Sequence, residues 1–146
     1  MVSNKQKGDK HELEVAKILE KEDLLVNKSP RTMKRIWTPK GMMYVSQAND
    51  YFGLFDIVCK SANPNLTSWI QVKTNPTDVS SSKPEIKEFS KKYCNDDFES
   101  VEIWLRVARK GFVIYVLDED LLWTKFYINL KGEFVDPFLI KSVIKK

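Results

Sequence analysis

The chain reads as a mixed α/β protein, of the α/β or α+β class, with a central mixed β-sheet flanked by helices. Three observations predict this. Helical and strand-like periodicities follow one another as helix, strands, helix, strands. Turn signals at Pro39-Lys40-Gly41, Asn63-Pro64, Lys110-Gly111 and Lys131-Gly132 separate short apolar runs. A length of 146 residues, 42% hydrophobic and 30% charged, suits one domain (1–146) around one core.

The elements follow in order. Ser3 and Gln6 have the form of a capping box, which predicts a helix from about Asn4 to Glu22. Leu13, Ala16 and Leu19, with Val15 and Ile18 beside them, supply its apolar face. Glu12 lies next to that face, with Gly8 one turn before it and Ala16 one turn after, so small neighbours leave its carboxylate uncovered. Residues 24–27 read as a strand, broken by Ser29-Pro30-Arg31-Thr32. Residues 34–38 and 42–46 form a predicted hairpin, and 47–53 a loop. Phe55-Asp56-Ile57-Val58 and Trp69-Ile70-Gln71-Val72-Lys73 are two apolar strands of a hairpin centred on Asn63-Pro64. Residues 74–83 are polar, include Ser80-Ser81-Ser82, and are expected to be the most mobile part of the chain. A helix is expected to start at Pro84 and to bury Ile86, Phe89 and Tyr93. Residues 101–109 and 112–117 form the next predicted hairpin, and 122–129 with 133–140 the last. No repeat, low-complexity segment or domain linker interrupts this pattern.

Several function classes are disfavoured. No apolar run approaches membrane-spanning length. Met1-Val2-Ser3-Asn4-Lys5 lacks the apolar stretch of a secretion signal, so the expected compartment is the cytoplasm of the producing or host cell. Cys59 and Cys94 have no metal or redox spacing and read as ordinary thiols. Neither a phosphate loop nor a nucleophile triad is present. Net charge is +4 and the pI about 9.0, and the cations are grouped. Lys5, Lys7 and Lys10 crowd the first helix, and Lys28, Arg31, Lys34, Arg35 and Lys40 the next segment. Lys87, Lys91 and Lys92 lie on the second helix. Three clusters near one prospective site predict a nucleic-acid partner.

That site is the hairpin centred on Asn63-Pro64. Positions symmetric about that centre face each other, so Asp56 is expected opposite Gln71. Period-two alternation puts Gln71 and Lys73 on one face and turns Ile57, Ile70 and Val72 the other way. A carboxylate on an apolar strand is costly unless paired, hydrogen-bonded or bound to a metal. An ion pair with Lys73 or a bond to a nearby turn would satisfy Asp56. So would a hard metal ion: Mg²⁺ or Mn²⁺ takes oxygen ligands, here the carboxylates of Asp56 and Glu12, the Gln71 side-chain oxygen and the Val72 carbonyl. Lys73 would hold the attacking water or stabilise the pentavalent phosphate. His11 falls on a different helix face from Glu12 and reads as a surface or phosphate contact. Trp37, among Lys34, Arg35 and Lys40, either stacks on a base or packs within its hairpin. Trp69, Trp104 and Trp123 read as core or interface, and Tyr51-Phe52-Gly53 as the approach to Asp56.

Asp56, followed a strand and a turn later by Gln71-Val72-Lys73, resembles the core motif of the PD-(D/E)XK nuclease superfamily. Lys7-Gly8-Asp9-Lys10-His11-Glu12-Leu13-Glu14 resembles the first helix of archaeal-type Holliday junction resolvases, in which a Lys-Gly pair precedes the metal-site glutamate, here Glu12. Val26-Asn27-Lys28-Ser29-Pro30-Arg31-Thr32 is similar to the family's loop near the scissile phosphate, with Ser29 or Thr32 in place of its serine. Phe89-Ser90-Lys91-Lys92-Tyr93 is similar to its second basic helix. The resemblance spans roughly residues 5–117. It implies a restriction-endonuclease-like fold and a homodimer that cuts four-way DNA junctions with Mg²⁺, for which Mn²⁺ would substitute. Glu12, Asp56, Gln71 and Lys73 would be catalytic. Lys5, Lys7, Lys10, Lys28, Ser29, Arg31, Thr32, Lys34, Arg35, Trp37, Lys87 and Lys91 would meet the DNA. The chain departs from the family where Gln71 replaces glutamate and where residues 33–51 form a longer segment. Two alternatives stay open: another structure-specific or restriction or repair nuclease, and a DNA-binding protein with a weak or dead site. Phe134, Phe138, Leu139 and Ile140 would form a dimer face or complete the core.

Overall fold

The computed structural model describes residues 4–48, 50–62 and 64–141; the side chains of residues 4–7, 31–34, 45–48 and 141 are outside the described set, as are Ser3 and Asn63. The chain order is α1 (Asn4–Lys21), β1 (Leu25–Lys28), β2 (Arg31–Thr38), β3 (Gly41–Ala48), β4 (Ile57–Ala62), β5 (Asn65–Lys73), α2 (Pro76–Tyr93), β6 (Glu99–Val107), β7 (Gly111–Leu117), β8 (Trp123–Asn129) and α3 (Phe138–Lys141). Six strands form one mixed sheet in the order β1-β4-β5-β6-β7-β8. Only β5 and β6 pair in parallel, and α2 is the crossover such a pair requires. The expected class, a mixed sheet with flanking helices, is what forms.

Alternation along the strands divides the core in two. Ile57, Ile70, Val72, Trp104, Phe112 and Ile114 pack under Val15, Ala16, Ile18 and Leu19 of α1. Ile103, Leu105, Val113 and Leu117 face the opposite way and pack with Val79 and Ile86 of α2. Burying each such side chain contributes about 1.5–3 kcal/mol. Leu13 departs from expectation and is 48% exposed. At ~100° per residue it points away from the stripe of 15, 16, 18 and 19, whereas Glu12 falls on the inner side one turn before Val15 and Ala16. Glu14 on α1 makes a two-point ion pair with Arg106 on β6, at 2.8 and 3.3 Å, which fastens this end of the helix to the sheet.

Several boundaries move. The second helix starts at Pro76 rather than Pro84, so residues 76–83 are helical. Asn75 is its N-cap and accepts the Thr77 N–H at 3.1 Å, with Pro76 behind it where a missing N–H is harmless. Pro84 sits inside the helix. Ile86 is fully buried, but Tyr93 is 69% exposed and Phe89 only half-buried. Residues 133–140 do not form a strand: one bridge, Ile128 with Phe134, precedes the short α3, which Asp136 caps by accepting the Phe138 N–H at 2.9 Å. Ile140 is buried in the α2-side core, while Phe134, Phe138 and Leu139 are exposed. Arg31 and Thr32 belong to β2, so the predicted hairpin is longer than expected and runs from 31 to 48.

The tight turn from β6 to β7 depends on Gly111, whose φ is +150° and whose position leaves no room for a Cβ against the Ile128 carbonyl oxygen. Among the described residues no helix is long and apolar enough to cross a membrane. Asn75→Ala is expected to lower unfolding free energy by about 1 kcal/mol, read as a lower urea midpoint at unchanged slope. An unchanged midpoint would place the start of α2 elsewhere.

Candidate functional site

β4 and β5 pair in the predicted register, Ile57 with Ile70 through Ala62 with Asn65. β4, however, begins at Ile57, one residue after Asp56, so Asp56 stands at a bend rather than in the strand. β5 continues past Ile70 to Lys73. The Val72 N–H, on the side β4 would have occupied, donates instead to Asp56 Oδ2 at 2.7 Å. A residue's N–H and C=O project to the same side of a strand, so the Val72 carbonyl faces Asp56 too. The Asp56 backbone is held as firmly: its N–H donates to the Ile70 carbonyl at 2.9 Å, and its carbonyl accepts the Ser29 N–H at 2.7 Å.

The chain reaches Asp56 through a tight turn. Tyr51 and Phe55 bridge each other, and Phe52 and Gly53 between them take left-handed φ of +56° and +70°. Such a backbone suits glycine and costs Phe52 about 1 kcal/mol. The turn is tied to the sheet by Gln71, whose Nε2 donates to the Leu54 carbonyl at 2.9 Å. Only the amide nitrogen can satisfy a carbonyl, so this bond fixes which end of Gln71 is free. That end, Oε1, is buried and accepts no hydrogen bond, in a residue 8% exposed. A buried acceptor without a partner costs roughly 1–3 kcal/mol.

The same turn brings Asp50 beside Asp56. Ser29, buried at the end of β1, donates its hydroxyl to Asp50 Oδ1 at 3.3 Å. Lys28 turns inward and pairs with Glu12 at 3.5 Å. Glu12, Asp50 and Asp56 thus share one neighbourhood. Burial, above all, and then the Glu12 charge push the Asp56 carboxyl up to about 8; the Val72 N–H pulls the other way, and Asp50 adds to the rise by charge and hydrogen bonding. Glu12 is also raised, by burial first, against the opposing pull of Lys28 and with Asp9 and Asp50 adding to the rise. Lys73 follows Gln71 by two residues on the same face, is half-buried, and forms no ion pair with Asp56.

Two buried carboxyl groups with raised proton affinity, an amide oxygen that accepts no hydrogen bond and a strand carbonyl are oxygen donors of the kind Mg²⁺ and Mn²⁺ accept. The residues therefore fit the expected ion in chemistry. Among the described residues no three His, Cys, Asp or Glu side chains gather closely enough to hold a metal by themselves. The expected set never required that, having only two carboxylates. Burial pushes both thiols up to about 11, with Glu102 adding to the rise at Cys59 and Glu99 at Cys94, so each is an unreactive free cysteine at neutral pH.

The other expected contacts divide into three groups. Lys10, Arg35, Trp37, Lys87 and Lys91 are exposed. Lys28 and Ser29 are drawn into the site as described. The side chains of Lys5, Lys7, Arg31, Thr32 and Lys34 lie outside the described residues. Sequence reasoning missed Asp50 and the Leu54 carbonyl. The available signal was Gly53 midway between two acids six residues apart, a spacing that a closed turn brings together. Comparison with protein-family models, curated proteins and solved structures finds no match to this chain.

Burial of Asp56 has a pH signature. Its folded-state proton affinity lies above the unfolded value near ~4, so its stabilising contribution is complete below pH ~4 and is lost as pH rises through about 8. Asp56→Asn keeps an acceptor for Val72 and removes the charge. In EDTA at pH 8 it is expected to melt at least ~4 °C above the parent, an advantage that disappears towards pH 4. A pH-independent difference would mean that Asp56 is ionised without penalty. Gln71→Glu sets a carboxylate oxygen against the Leu54 carbonyl and should destabilise the protein in EDTA by about 1–3 kcal/mol; equal stability would show that the Gln71–Leu54 bond does not hold the turn.

Proposed function

We propose that this chain is a metal-dependent DNA endonuclease on a restriction-endonuclease-like fold, hydrolysing phosphodiester bonds in four-way junctions. The observation that carries this reading is the buried Gln71 Oε1, which accepts no hydrogen bond, on the strand whose Val72 N–H holds Asp56, a carboxyl whose proton affinity is raised by burial and by the nearby Glu12 charge. Asp56, Glu12, Gln71 and the Val72 carbonyl would hold Mg²⁺ or Mn²⁺. When bound, such an ion polarises the phosphate and acidifies water. Lys73, on the Gln71 face and in no ion pair among the described residues, would orient the attacking water and balance charge at the phosphorus. Water adds to phosphorus, the bond to the leaving sugar oxygen breaks, and that oxygen departs with a proton. The groups of exposed cations on α1, α2 and the β2–β3 hairpin suit a polyanionic substrate. A second copy meeting this one through exposed Phe134, Phe138 and Leu139 would present paired sites to opposed strands.

One observation favours a second reading. Gln71 is neutral and its Nε2 is committed to Leu54, so the site has one negative charge fewer than the motif usually supplies. A junction-binding protein with little or no hydrolysis fits that state.

The test is cleavage of a labelled synthetic four-way junction beside linear duplex and flap DNA, with Mg²⁺, Mn²⁺ or EDTA. Paired symmetric nicks in the junction, lost in EDTA, are expected. Asp56→Ala and Lys73→Ala should each reduce the rate about 100-fold or more while junction binding persists. Near-parental cleavage by either variant would falsify the site. Cutting of duplex or flap alone would change the substrate, and binding without cutting under both metals would select the second reading.

A further inference from the structure

We infer that the β2–β3 ribbon lies in the major groove of a DNA duplex beside the cut, so that the site works only next to a double-stranded arm. This rests on the reading of the site as one that acts on DNA. The ribbon is a two-stranded sheet of its own, hydrogen-bonded to no strand of the six-stranded sheet. Its two ends are rooted in the site: β2 begins two residues after Ser29, β3 ends two residues before Asp50, and Ser29 and Asp50 are hydrogen-bonded to each other. A ligand gripped by the ribbon is therefore delivered to Asp56.

Its chemistry favours a polyanion. From residue 24 to residue 49 the sequence has five cations (Lys28, Arg31, Lys34, Arg35, Lys40) and no carboxylate. Cross-strand pairs Arg35–Tyr44 and Trp37–Met42 alternate with Ile36–Met43, so Arg35, Trp37, Met42 and Tyr44 share one face. Trp37 is 79% and Tyr44 59% exposed, and Lys40 is exposed in the turn at the tip. Aromatic rings interleaved with cations, and unburied by the rest of the chain, suit base edges flanked by phosphates. A second copy of the same ribbon would set like charges together.

Size selects the groove. Eight residues per strand at ~3.4 Å make a ribbon about 27 Å long. A two-stranded ribbon enters the major groove, about 12 Å wide, and is too broad with its side chains for the minor groove, about 6 Å. Laid along the duplex it covers about eight base pairs at ~3.4 Å each.

The test separates binding from chemistry. Fluorescence anisotropy in EDTA would follow fluorescein-labelled duplex arms of increasing length, and a single strand of the same sequence. Affinity should rise until the arm reaches about eight base pairs and then level off, with the single strand bound at least ~10-fold more weakly. The Arg35→Ala, Lys40→Ala double variant, if it melts like the parent, should flatten the slope of log affinity against log salt by about two. Trp37→Ala should weaken arm binding about 10-fold with little change in slope. Equal affinity for single strands, or parental salt slopes, would overturn the inference. So would variants that alter only the oligomeric state, or only binding to anionic vesicles. Cleavage is scored separately. Arm-dependent binding without cutting under Mg²⁺ or Mn²⁺ defeats hydrolysis and leaves the ribbon's role standing. Cutting by a protein whose ribbon variants bind normally does the reverse.

Discussion

A single backbone N–H organises this molecule's site. β5 runs three residues beyond its last pairing with β4, so the Val72 amide emerges where no strand stands beside it. Leaving a buried amide unbonded costs roughly 1–3 kcal/mol, and Asp56 removes that cost by placing Oδ2 2.7 Å away. Once Asp56 is bound to residue 72 by its side chain and to residues 70 and 29 by its backbone, the preceding chain has little freedom. It must fold back through the Tyr51–Phe55 turn, whose Leu54 carbonyl then meets Gln71. The carboxylate, the orphaned amide oxygen and Asp50 come together as consequences of one missing strand partner.

Electrostatics explains why such a cluster is poised rather than neutralised. Glu12 has Lys28 and Asp50 has the Ser29 hydroxyl, but Asp56 has only a backbone amide against its own burial and two nearby acids. Interiors accommodate such a carboxyl as the neutral acid or beside a cation. Gln71 makes the neighbourhood less negative than a glutamate would and ties the turn, two effects of one amide group. A glutamate there would face the Leu54 carbonyl oxygen to oxygen. In the proposed metal site, the amide that lowers the negative charge is therefore also the group that keeps the turn closed.

The scaffold divides rigidity from reach. α1 presents Glu12 from a buried face locked to the sheet through Glu14 and Arg106, and α2 covers the opposite side of the same strands. Among the described residues the ribbon carries no part of either core; its exposed Arg35, Trp37, Lys40 and Tyr44 extend from the same two residues, Ser29 and Asp50, that close the site. The ribbon is thus joined to the neighbourhood of Asp56 by a short, hydrogen-bonded root.

Local rules determined much of this from sequence alone. Alternation and the turn at Asn63-Pro64 specified the β4–β5 register, and with it the shared face of Gln71 and Lys73 and the opposite face of Ile57, Ile70 and Val72. Helical periodicity placed Glu12 beside the inner face of α1, and the cluster of Lys28, Arg31, Lys34, Arg35 and Lys40 marked the segment after it. Other features emerged only in three dimensions. Pro84 looked like a helix start because proline suits that position, yet the Asn75 cap and the burial of Val79 carry α2 through it. The segment 133–140 has strand-like composition, but the burial of Ile140 and the Asp136 cap favour α3. Asp50, the inward turn of Lys28 and the Leu54 strap depend on residues 15 or more positions apart, or on a turn closed by such contacts. Periodicity reports which way a side chain points along its own element. Which elements stop, and whose hydrogen bonds are left to be filled, is decided only when distant parts of the chain meet.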